Sequence, residues 1–105
     1  MIITESEKAD IKRALVRALS AEKEIRRIVV FGSFVHSNSP NDVDVAVFQD
    51  SDEKYLPLAL KYRKDVRSVP CRIPIDVIPL RPMVQDDPFL DEVQQGETIY
   101  ERQRP

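Results

Sequence analysis

The chain has 105 residues, with 16 basic and 18 acidic side chains, a net charge of −2, 42% apolar residues and 32% charged residues. This is the make-up of an ordinary globular domain, and it excludes a disordered chain and a strongly basic, nucleic-acid-wrapping one. One cysteine, Cys71, cannot form an internal disulfide, and no Cys/His spacing suggests zinc.

The first segment, from Thr4 to about Ala21, reads as a helix. Ile11, Ala14, Leu15, Ala18 and Leu19 form one apolar stripe, Thr4 and Glu7 fit a capping box, and Lys8, Lys12, Arg13 and Arg17 take polar positions. The β-branched and aromatic run Ile28 to Phe31, ended by Gly32, predicts a short central strand. "SNSPND" is turn chemistry. "DVDVAVF" then alternates strictly, with Asp42, Asp44 and Ala46 on one face and Val43, Val45 and Val47 on the other.

Residues 52–69, with Leu56, Leu60, Arg63 and Val66 at helical spacing, predict a second long helix starting near Leu56, with Pro57 in its first turn. "IPIDVIPL", residues 73–80, reads as a third strand, and Pro74 and Pro79 place it at an edge or confine them to its ends. A short helix from about Pro88, closed by Gly96, and a brief extended piece complete the chain. Phe89, Leu90, Val93, Ile99 and Tyr100 are expected to close the core. The order predicts a single domain over 1–105 of the α/β (α+β) class, a small mixed sheet with helices packed mainly on one face.

The chemistry lies in the carboxylates. Asp42 and Asp44, at i and i+2, project to one side of a strand, where proximity and desolvation make two negative charges costly. A solvated strand face would also accommodate them. Asp76, flanked by Ile75 and Val77, can join them if the two strands are neighbours. Three convergent carboxylates suit divalent hard cations, and a pair of ions roughly 3.5–4 Å apart is the arrangement used for phosphoryl and nucleotidyl transfer. Gly32 and Ser33 supply a complementary feature: a glycine at a strand end allows close backbone approach to a phosphate oxygen, and the hydroxyl and following N–H groups can donate.

An apolar strand, Gly32-Ser33, a loop, Asp42-x-Asp44 and a later Asp76 together resemble the DNA polymerase β-like nucleotidyltransferase superfamily. With the closing "FLDEVQQGETIY", the chain is similar to its minimal (MNT-type) members over residues 10–100 or so. The resemblance implies transfer of a nucleoside monophosphate, AMP from ATP, to a hydroxyl with Mg²⁺, two ions per site. It makes Gly32 and Ser33 the triphosphate contacts, Asp42 and Asp44 ligands of both metals, and Asp76 the ligand of the catalytic metal and partner of the acceptor hydroxyl. It further implies a small helical HEPN-type RNase as partner in a toxin–antitoxin pair.

The eight residues between Ser33 and Asp42 form a shorter loop than is common in the family, and His36 and Ser37 stand where an Arg-Gly is usual. The alternative reading is therefore a catalytically weak nucleotide- or partner-binding module of the same fold. His36 could contact phosphate or be a plain loop residue, and Cys71 fits a strand edge. The run "KYRKDVR" could be a solvated helix face or a docking site for an acidic partner. The size of the chain suggests that acceptor selection comes from a partner or from self-association. Direct nucleic-acid binding is not expected, since no basic, aromatic-rich strand is present. The opening "MIITESEKAD" lacks a signal-peptide pattern, and no apolar run approaches the ~20 residues needed to span a bilayer, so a cytoplasmic location without membrane contact is expected.

Overall fold

The structure, a computed structural model, describes residues 1–82 and 90–102. Helix α1 (Glu5–Leu19) opens on the expected capping box: the Glu7 N–H donates to Thr4 Oγ1 at 3.1 Å and the Thr4 N–H donates to Glu7 Oε1 at 3.2 Å. The helix buries Ile11, Leu15 and Leu19. Each of the two leucines is completely enclosed and contributes about 1.5–3 kcal/mol. Lys8, expected on the polar face, is instead buried, because its ammonium reaches the Ser37 carbonyl oxygen at 2.7 Å.

Strand β1 (Ile25–Phe31) is followed by a single helical turn, α2 (Ser33–His36), then β2 (Val43–Gln49), α3 (Tyr55–Val66), β3 (Ile75–Leu80), α4 (Leu90–Gln94) and β4 (Glu97–Glu101). The four strands form one sheet in the order β3-β2-β1-β4; β1 is antiparallel to β2 and β4, while β2 and β3 run parallel. Strand β1 starts earlier than its apolar run suggests. Arg26 and Arg27 are half-buried within it, and the Arg27 guanidinium lies 4.3 Å from the centre of the Phe48 ring, so its stem and planar head cover apolar surface. Strand β3 lies at an edge, which is where Pro79 can sit without removing an interior ladder bond. The brief extended piece at the end is β4, the other edge.

The alternation of β2 divides the core. Val43, Val45 and Val47 join Ile28 and Val30 beneath α1 and α3, whereas Ala46 and Phe48 pack with Val29, Phe31, Leu80 and Val93 on the opposite face. Helix α4 thus supplies the cover of the second face through Val93. Ile99 and Tyr100 pack against the larger cluster as expected, and Leu90 is half-buried. Pro88 and Phe89 lie outside the described residues.

Helix α3 begins at Tyr55 with Pro57 in its first turn, and of the four residues whose spacing predicted it only Val66 is buried. The buried side chains are Leu58, Ala59, Tyr62 and Val66; Leu56 and Leu60 are exposed. The buried stripe is held by Tyr62, whose hydroxyl donates to Glu24 Oε2 at 2.8 Å. Burial pushes the Glu24 carboxyl upward, but the hydrogen bonds it accepts from its own backbone N–H, Lys61 and Tyr62 outweigh this and hold it below the ordinary carboxylate value. No described helix is long and apolar enough to cross a membrane.

Candidate active site

The parallel pairing of β2 with β3 sets Asp44 directly beside Asp76. Asp42 stands one residue before β2, where the Val43 N–H donates to the Pro74 carbonyl oxygen at 2.8 Å and ties the two strand entrances together. Residues 42 and 44 share one side of an extended chain, and 76 is across from 44, so the three carboxylates converge. One oxygen from each lies within 4.8 Å of the other two. Asp42 and Asp44 are half-buried and Asp76 is exposed.

Gly32 closes the site from β1. Its φ of 76° and ψ of −152° fall in a region essentially reserved for glycine. A Cβ placed there would stand 2.6 Å from Asp44 Oδ2. The glycine therefore both turns the chain from β1 into α2 and leaves space for a carboxylate oxygen. Ser33 is the first residue of that turn and is half-buried. The turn is anchored at its far end: the Ser37 N–H donates to the Ser33 carbonyl at 2.8 Å, the Lys8 ammonium bonds the Ser37 carbonyl, and the Ile3 N–H donates to the Asn38 carbonyl at 2.8 Å. His36 is exposed and lines a shallow depression with Glu5, Lys8 and Asn38.

Electrostatics single out Asp44. Burial, followed by the negative charges of Asp42, Asp76 and Glu92, pushes its carboxyl up to about 6. Among the described residues none of the three aspartates forms an ion pair with Lys, Arg or His. Glu92, on α4, is a contributor that the sequence pattern does not single out. Its proximity depends on α4 crossing the second face of the sheet, and no local spacing encodes that.

The donor set fits a divalent cation. Carboxylate oxygens are hard ligands, and an octahedral ion with ligands at about 2.1 Å needs adjacent oxygens about 3 Å apart and opposite ones about 4 Å apart. The observed convergence within 4.8 Å needs only a small contraction to meet this, and the uncompensated charge supplies the attraction. The hollows of about 600 and 690 Å³ beside α1 are lined by none of the three aspartates. Cys71 lines the first of these hollows, half-buried against the larger core cluster.

No curated protein sequence matches the chain. The sequence profile described as "Polymerase beta, Nucleotidyltransferase" matches residues 13–105, which takes in the Gly32 turn, Asp42, Asp44 and Asp76. That match covers most of the chain, and the mixed sheet agrees with the fold of the polymerase β-type enzymes. The chain belongs to the polymerase β nucleotidyltransferase family.

Proposed function

We propose that the chain is a minimal, MNT-type nucleotidyltransferase that moves AMP from ATP to a hydroxyl on a protein partner, a small helical HEPN-type RNase, as the antitoxin of a toxin–antitoxin pair. The observation that carries the transferase reading is the convergence of Asp42, Asp44 and Asp76 within 4.8 Å, with no cation paired to them among the described residues. Catalytically idle carboxylates so placed would only destabilise the sheet. The family assignment supports nucleotide use; the choice of ATP and of a HEPN-type acceptor follows from the resemblance of the whole pattern to minimal members.

In this reading Asp42 and Asp44 hold Mg²⁺ together with Asp76. The bound metal supplies charge neutralisation for the triphosphate and acidifies the attacking hydroxyl. Gly32 and the Ser33 hydroxyl meet the triphosphate, which the anchored turn holds in a fixed place. Asp76, the exposed member, orients the acceptor hydroxyl. The hydroxyl releases its proton to solvent, a new bond forms between its oxygen and the α-phosphorus, the bond from the α-phosphorus to the bridging oxygen breaks, and pyrophosphate leaves.

The test incubates the chain and the product of its neighbouring gene, whatever its fold, with Mg²⁺ and each of the four α-labelled nucleoside triphosphates. Label from ATP is expected on a partner hydroxyl and is lost in Asp44→Asn. Nucleotide binding without label from any of the four would leave the binding-module reading in its place, and label on a nucleic acid would overturn the protein-acceptor assignment.

A further inference from the structure

Helix α3 carries two stripes, and the core uses only one of them. Opposite Leu58, Ala59, Tyr62 and Val66, the solvent side presents Leu56, Leu60, Arg63 and Arg67 at successive steps of four, three and four residues, with Lys64 beside them. At these spacings the side chains lie in one row along the helix. Leu56 is 62% exposed and Leu60 is 55% exposed, and Tyr55 at the same end is 57% exposed. Arg63, Lys64 and Arg67 are exposed too. None of these three cations forms an ion pair among the described residues, although the protein as a whole is negatively charged. Lys61, on a different side of the helix, pairs with Glu22 and Glu24.

We propose that this outer row of α3 is a docking surface for an amphipathic acidic helix of a partner protein, with two apolar residues seated on Leu56 and Leu60 and carboxylates facing Arg63, Lys64 and Arg67. The apolar and basic halves follow each other along the axis, so a helix laid alongside can match both at once. Charge complementarity selects an acidic partner, and like charges reject a basic one. Two leucines and a tyrosine bury too little apolar area to hold a lipid surface, and the row lacks the stacking aromatics of a single-strand binder. The surface is independent of the carboxylate site and of any turnover there.

The test selects from a displayed library of helical peptides with one randomised face, using the wild-type chain as bait and the Leu56→Ser/Leu60→Ser double variant as counter-bait. Both leucines are exposed, so the double variant is expected to keep its fold, to be checked by circular dichroism. Enriched peptides are expected to carry an apolar pair at i, i+4 and a cluster of Asp or Glu toward one end, and to shift the amide signals of residues 55–67. Arg63→Glu/Lys64→Glu/Arg67→Glu should weaken those peptides by about tenfold or more and bind their Lys-substituted versions instead. Three results would each overturn the proposal: no enrichment over the counter-bait, enrichment of basic or neutral helices, or leucine-dependent binding to phosphatidylserine vesicles in place of peptides.

Discussion

Replacing Asp44 by Asn removes the most burdened charge of the carboxylate cluster while keeping the shape of the side chain. A carboxyl moved from an ordinary value near 3.8 to about 6 represents about 3 kcal/mol. Asp44 is only half-buried, and solvent screening reduces that to ~1–2 kcal/mol. The folded state holds this proton more tightly than the unfolded chain does. Wild-type stability therefore falls as pH rises from near 4 to about 6, and the loss persists above that window. Urea unfolding of the metal-free protein should show Asp44→Asn to be more stable than wild type by ~1–2 kcal/mol at pH 7, with the difference vanishing toward pH 4. Added Mg²⁺ should raise the wild-type unfolding free energy by about 1.4 kcal/mol at ten times its dissociation constant and leave the variant nearly unmoved. Equal stabilities at pH 7, together with equal responses to Mg²⁺, would refute both the repulsion and the metal site.

Gly32→Ala should cost about 1–3 kcal/mol for the backbone conformation alone. Its Cβ must also displace the Asp44 carboxylate, so thermal scans should show the Mg²⁺ response shrinking with the stability. Lys8→Met keeps the buried stem but strips the Ser37 carbonyl of its donor; a loss of ~1–3 kcal/mol and faster amide exchange at residues 37–42 are expected by hydrogen exchange. Tyr62→Phe removes one donor to Glu24, and because Lys61 still bonds that carboxylate at 3.0 Å, chemical denaturation should register only about 0.5–1.5 kcal/mol.

The carboxylate cluster was legible in the sequence because its code is local. Period-two alternation put Asp42 and Asp44 on one side, and flanking Ile75 and Val77 marked Asp76 as a strand residue; only the adjacency of β2 and β3 had to be supplied by the fold. Gly32 was legible for the same reason, as a glycine ending an apolar run, although its contact with Asp44 was not. Long side chains defeated the pattern. Lys8 looks like a surface residue until its ammonium finds a carbonyl 29 residues away, and Arg26 and Arg27 hid the first half of β1 because the one pairs with Asp50 and the other lays its stem and head over the Phe48 ring. In α3 the spacing of Leu56, Leu60, Arg63 and Val66 announced the helix but not its inward side, since of the four only Val66 is buried. Glu92 was invisible because its approach to Asp44 depends on where α4 lands.

The position of Asp76 has a mechanical consequence. Strand β3 is an edge strand, and among the described residues its parallel pairing with β2 is the seam that holds it to the sheet. An ion gripped by Asp44 and Asp76 would span that seam and act as a rivet between the edge and the interior. Loading the site with metal should therefore slow amide exchange in β3 more than in β4, the edge that carries no ligand, and a reaction cycle that loads and releases metal would tighten and loosen one border of the protein in step with its chemistry.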